Sequence, residues 1–107
     1  MSHSLIYATA PNRAAALRIA HILVESRLVA CANVVDGATS LYWWEGRLQE
    51  EQEAILVAKT ISANVSAVVD KIKELHDYSC PCVVALDIAQ GNPAFLDWIT
   101  AETRSAV

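Results

Sequence analysis

A chain of 107 residues fits one domain and leaves no room for a separate substrate domain beside it. A formal charge of −4, with eight Lys and Arg spread along the chain, gives no electrostatic footprint for a phosphate backbone and excludes nucleic acid as an expected partner. At 54% hydrophobic residues and a mean hydropathy of +0.30, the composition is rich in apolar groups for so short a chain, so part of its surface is expected to meet other subunits.

The first element is Leu5-Ile6-Tyr7-Ala8, short, apolar and β-prone. Thr9-Ala10-Pro11-Asn12 behind it supplies capping side chains and a first-turn proline, which predicts a strand running into a helix. From Arg13 to Arg27, Ala16, Ile19, Ala20, Leu23 and Val24 recur at spacings of three and four, the stripe of an amphipathic helix.

Between Leu28 and Thr60 the helical period disappears and Val, Thr, Leu, Tyr and Trp dominate, with Asp36-Gly37 and Glu45-Gly46 as turn or bulge signals. Two strands joined near Glu45-Gly46-Arg47 are predicted. The first, from about Cys31 to Trp44, would reach roughly 45 Å at about 3.3 Å per residue, whereas a globule of this size has a radius of gyration of only about 13 Å. The hairpin must therefore bend sharply at Asp36-Gly37 or project beyond its own domain. A projecting hairpin carrying Leu41, Tyr42, Trp43 and Trp44 exposes aromatic surface and free strand edges, and neighbouring subunits are the natural cover.

Ser62 to His76 places Val65, Val68, Val69, Ile72 and Leu75 at helical spacing behind Ser62 as the expected N-cap. The run from Cys82 to Ile88 reads as a buried strand. Gly91-Asn92-Pro93 then gives a turn, an N-cap and a proline at the first helical position, before a short helix with Phe95, Trp98 and Ile99 facing the core. The order βαββαβ plus a C-terminal helix is the ferredoxin-like split βαβ pattern of the α+β class, two helices on one face of an antiparallel sheet.

Ala30-Cys31-Ala32-Asn33-Val34-Val35, followed by the run Gly37 to Arg47 with its Leu41-Tyr42-Trp43-Trp44-Glu45-Gly46 centre, resembles the signature of CutA-type divalent-cation tolerance proteins. Lys59-Thr60, His76 and Tyr78, Pro81, and the run from Gln90 to Ile99 resemble that family in order and spacing, so the likeness covers nearly the whole chain. The resemblance implies long hairpins interlocked into a homotrimer similar to that of the PII signalling proteins, an association with copper tolerance, and binding of divalent metals. Many relatives carry His-Pro-Tyr-Glu-x-Pro-Glu where this chain has His76-Asp77-Tyr78-Ser79-Cys80-Pro81-Cys82, which replaces carboxylates with thiols and implies a softer metal site. Some relatives place a cysteine in the first strand, where this chain has Ala8, so no ligand role carries over there.

Three cysteines cannot all pair within one chain, and free thiols in a reducing cytosol are expected. No run approaches the roughly 18 to 20 apolar residues of a membrane span, and no basic segment precedes the first strand, so a cytoplasmic location without membrane contact is expected. His76, Cys80 and Cys82 put an imidazole and two thiols within seven residues, soft ligands of the kind that select copper(I) or zinc. Cys31 is a fourth candidate ligand if interlocked subunits bring it near, and otherwise a small buried apolar residue. Glu50-Glu51-Gln52-Glu53 reads as a solvated face that keeps an edge strand soluble. His21 lies off the helix stripe and His3 sits near an end expected to fray, so neither is a ligand candidate. Tyr42, Trp43, Trp44 and Trp98 are read as trimer-interface anchors.

No phosphate loop, nucleophile elbow or paired acid and base is present, so catalysis is not expected. Three function classes remain. One is a metal-binding tolerance protein holding copper or zinc. Another is a PII-like sensor that takes a small ligand in an intersubunit cleft through Asn33, Lys59, Tyr78 and His76. The third is a partner-docking trimer without other cofactors.

Overall fold

The side-chain alternation of the first and third strands decides where the core lies. In the computed structural model, which describes residues 1–106, the chain forms β1 (His3–Ala10), α1 (Arg13–Glu25), β2 (Cys31–Trp44), β3 (Arg47–Ile61), α2 (Val65–Leu75), β4 (Val83–Asp87) and α3 (Pro93–Glu102). The sheet order is β2-β3-β1-β4 with antiparallel neighbours throughout, the split βαβ arrangement expected. Ile6 and Ala8 of β1 and Leu56 and Ala58 of β3 point to one face, where Ile19, Ala20 and Leu23 of α1 and Val68 and Ile72 of α2 bury them.

Several element ends differ from the sequence reading. β1 begins at His3, whose imidazole is buried and hydrogen-bonded to the Thr100 hydroxyl at 2.8 Å, so this end does not fray. Asn12 caps α1 by accepting from the Ala15 amide, and the helix ends at Glu25, because Arg27 takes a left-handed φ of 61°. Ser62 does not cap α2. Its hydroxyl is shared with Ser4 at 2.7 Å, and a 3₁₀ turn over Ser62–Asn64 leads into the helix.

Among the described residues, only α3 covers the opposite face of the sheet, through the fully buried Ile99. Cys31, Lys59, Leu5 and Leu86 form one cross-strand row there, and Asn33, Val57, Tyr7 and Val84 the next. β4 is therefore an edge strand and not a buried one, with Val84 and Leu86 more than half exposed. Phe95 and Trp98 do not face the core either. Each is 40% exposed, and their rings stack on one another at 5.4 Å.

The long hairpin projects. β1 accompanies β3 only over Ala54–Ile61, so Arg47–Glu53 and its partner residues Ala38–Trp44 continue as a two-stranded ribbon. The molecule is 44 Å long against 25 and 21 Å in the other directions, close to the roughly 45 Å that fourteen extended residues span. Glu45 and Gly46 make the two-residue turn with φ of 51° and 77°, the pair of positive values a type I′ hairpin requires. Asp36 and Gly37 form a bulge opposite Ala54, with Gly37 at φ 79° and its amide donating to the Asp36 carboxylate.

Asn64, fully buried, ties the chain's end to the core. Its Nδ2 donates to the carbonyls of Leu28 and Arg104, and its Oδ1 accepts from the Ala106 amide. Asn64→Ala is expected to strand those groups and lower stability by about 2–3 kcal/mol, read as the shift in a denaturation midpoint at fixed protein concentration.

Candidate functional site

Where the hairpin leaves the sheet, it forms one wall of a cavity of about 510 Å³. The bulge decides which residues make that wall. Cys31, Asn33 and Val35 lie on the open face beside Lys59, Val57 and Ile55, and strict alternation would continue with Gly37, Thr39, Leu41 and Trp43. The extra residue shifts the phase, so Ala38, Ser40, Tyr42 and Trp44 take that face beside Glu53, Glu51, Gln49 and Arg47. Tyr42, Trp44, Gln49, Glu51 and Glu53 line the cavity from the hairpin and Thr9 from β1, while the segment after α2 closes it with Tyr78, Ser79, Cys80 and Cys82.

That closing segment is held by His76. Its Nε2 lies 2.7 Å from the Thr9 carbonyl oxygen and its Nδ1 3.1 Å from the Tyr78 amide nitrogen. A carbonyl only accepts and an amide N–H only donates, so the network assigns the neutral ring with its proton on Nε2. The imidazole also packs against the Tyr78 ring at 4.6 Å. Tyr78 in turn donates its hydroxyl proton to Glu53 at 3.2 Å. Burial first, and the Glu53 carboxylate second, push the Tyr78 phenol up to about 12. Tyr42 is raised as well, by desolvation and then by Glu51 and Glu53, so the cavity is electronegative.

The expected metal ligands divide into three places. Cys80 and Cys82 are exposed and open on the cavity. His76 is beside it, but both ring nitrogens are engaged by backbone groups and neither is free to ligate in this arrangement. Cys31 pairs with Lys59 on β2, the opposite edge of the sheet from β4. Among the described residues no three His, Cys, Asp or Glu side chains converge as a metal-binding group.

The expected cleft residues divide too. Lys59 donates to Asn33 at 3.4 Å, whereas Tyr78 lies at Glu53, six residues away along β3, or about 20 Å. Of the expected anchors, Tyr42 and Trp44 line the cavity, Trp43 is 72% exposed on the other side of the ribbon, and Trp98 lies on α3. Glu53 is the residue the sequence reading misplaces. It belongs by sequence to a solvated acidic face, yet it is only 7% exposed beneath Tyr78. Alternation joins residues 49, 51 and 53, and the two-residue Glu45-Gly46 turn puts them on one face with Tyr42 and Trp44, while the bulge decides that this is the open face of the sheet.

The family model described as CutA1 divalent ion tolerance protein matches residues 4–102. A divalent-cation tolerance protein CutA from Thermus thermophilus is 42% identical over 99 residues, covering 92% of this chain and 96% of that protein. Protein CutA 1, chloroplastic, from Oryza sativa subsp. japonica is 38% identical over 102 residues, and the match spans 95% of this chain but only 58% of that protein. The crystal structure of CutA1 from Oryza sativa superposes with a TM-score of 0.96 at 37% identity, covering 99% of this chain and 97% of that one. No helix among the described residues is long and apolar enough to cross a membrane.

Because its folded-state ionisation lies above the usual 10, Tyr78 contributes stability that is complete below pH 10 and is lost as pH rises toward about 12. The phenolate absorbance missing from Tyr78→Phe is expected to develop only near the upper value. Glu53→Gln should move that titration down, though not fully to 10, because the burial effect remains. Titration of Tyr78 at the free-tyrosine position would contradict the placement of Glu53.

Proposed function

Since this chain belongs to the CutA1 divalent ion tolerance family, we propose that it protects against metal ions as a homotrimer that takes up a soft metal, copper in the first place, at the thiols of Cys80 and Cys82. The observation that carries this reading is the opening of both thiols on one electronegative cavity without a basic lining residue. Both thiols belong to the irregular segment between α2 and β4, two residues apart in sequence. Two thiolates suit copper(I), which accepts two soft donors, better than zinc, which wants four ligands. Neighbouring subunits would have to complete a zinc site, and Cys31 on the β2 edge is a donor that a neighbour could supply. His76 contributes by holding Tyr78 and the closing segment.

The homotrimer is supported by surface that one chain leaves uncovered: Trp43, Leu41 and Leu48 on one side of the ribbon, and Val84, Leu86, Phe95 and Trp98 on the open face and α3. Both sheet edges, β2 and β4, are free to meet another chain. A cavity of about 510 Å³ falls within the small-molecule range, which favours a PII-like ligand-sensing role as the second reading. In that reading Asn33 and Lys59 of one subunit would approach Tyr78 of another.

Sedimentation should give a trimer at micromolar protein. Trp43→Ala, which removes a ring 72% exposed in the single chain, is expected to weaken it by about 3–5 kcal/mol, the cost of removing a large aromatic side chain that assembly buries; a stable wild-type monomer would refute the assembly. In competition titrations of reduced protein, copper(I) should bind more tightly than zinc, with affinity rising from mildly acidic to neutral pH as thiols deprotonate. Cys80→Ser and Cys82→Ser should each weaken copper(I) binding. If neither does, the thiols are not the ligands.

A further inference from the structure

The segment from Tyr78 to Cys82 is held at both ends and loose between them. His76 accepts from the Tyr78 amide, and the Thr9 amide donates to the Cys82 carbonyl at 3.3 Å, but among the described residues no hydrogen bond engages Ser79, Cys80 or Pro81. Cys80 and Cys82 both carry free thiols and both are exposed, and the chain bends at Cys80.

The residue between the two cysteines sets their separation. Pro81 fixes its φ near −65°, and the peptide bonds on either side of it are trans, so the flanking Cα atoms lie about 5.5–6.5 Å apart whether its ψ is helical or extended. A disulfide forms at Cα separations of about 4.4–6.8 Å, so the pair can close with only the untethered residues adjusting. Cys31 is no partner within the chain, because three strand-to-strand steps of about 4.8 Å divide β2 from β4.

We propose that Cys80 and Cys82 form a reversible disulfide that sets whether the cavity can hold a soft metal. The reaction is exchange with a low-molecular-weight disulfide, RSSR. One cysteine gives its proton to solvent, and its thiolate attacks a sulfur of RSSR and breaks that S–S bond, leaving a mixed disulfide and RS⁻, which takes up a proton. The second cysteine, likewise deprotonated, attacks the protein sulfur of the mixed disulfide and expels the other RS⁻. In sum, one protein dithiol and one RSSR give one protein disulfide and two RSH: the protein sulfurs are oxidised by two electrons and those of RSSR are reduced. An exposed disulfide is open to the reverse attack, so a small thiol restores the dithiol. The closed form has no thiolate to offer, and copper(I) loses both donors. That consequence rests on the copper reading above, whereas formation of the bond does not.

The test treats the assembled, metal-free protein with 2-hydroxyethyl disulfide, a neutral RSSR, then alkylates it under denaturing conditions and counts the labelled thiols by mass spectrometry. Three alkylated cysteines per chain should fall to one, with peptide mapping joining Cys80 to Cys82, and dithiothreitol should return the count to three. Cys80→Ser and Cys82→Ser should each stop at the mixed disulfide on the remaining cysteine, since neither has a second thiol to resolve it. Oxidised wild type should bind copper(I) more than about tenfold more weakly than reduced. The proposal is overturned if the wild type also stops at mixed disulfides, if the bond formed joins Cys31 or links two subunits, or if oxidised and reduced protein bind copper(I) equally. Failure of reduced protein to bind copper(I) would refute the metal site and with it the control of that site, and the thiol count would still decide the disulfide.

Discussion

A first strand shorter than the hairpin it joins is the constraint from which the rest of the molecule follows. β3 has fifteen residues and β1 only eight, so about half of the hairpin has no neighbour beyond its own partner strand. A two-stranded ribbon is marginally stable in water on its own, because it has no second layer on which to bury side chains. Leu41, Trp43 and Leu48 on one side and Tyr42 and Trp44 on the other are left facing outward. Burying those groups favours both the proposed association and the cavity at the ribbon's root.

At that root the polar groups form a supporting chain. The Thr9 carbonyl holds His76, His76 holds the Tyr78 amide, and Tyr78 holds Glu53. Each link satisfies a group that would otherwise be partly buried without a partner, and together they join three parts of the sequence: the end of β1, the segment after α2, and β3. The end of the chain is secured separately, through Asn64 and an ion pair between Arg27 and Glu102 at 2.8 Å. The ribbon and the closing segment are thus mounted on a base that the two helices and α3 keep in place.

The elements are far more legible in the sequence than their surroundings. Local signals suffice for α1 with its Asn12 cap, for the Glu45-Gly46 turn and for Asn92-Pro93 at the start of α3, since each is decided within four or five residues. Whether an apolar strand is buried depends on its neighbours instead. Cys82 to Ile88 reads as interior because Val, Ala and Leu run together, yet its place at the sheet edge leaves Val84 and Leu86 uncovered. Phe95 and Trp98 mislead for the same reason, because helical period identifies an apolar face without saying what covers it. In the site, Tyr78, Cys80 and Cys82 are identifiable together, while Glu53 is hidden by its exposed acidic neighbours and His76 reads as a ligand when it is a brace.

The bulge at Asp36-Gly37 has a wider implication. In a strand whose neighbours are fixed, one additional residue works as a half-period delay, exchanging inner and outer side chains for everything downstream while the fold remains the same. Sequence change on the two sides of that delay is therefore uncoupled. Cys31 to Val35 answer to the sheet, and Ala38 to Trp44 answer to the cavity. Deleting Asp36 or Gly37 would restore strict alternation and still leave Ser40, Tyr42 and Trp44 on the cavity side, because the Glu45-Gly46 turn holds them opposite Glu51, Gln49 and Arg47.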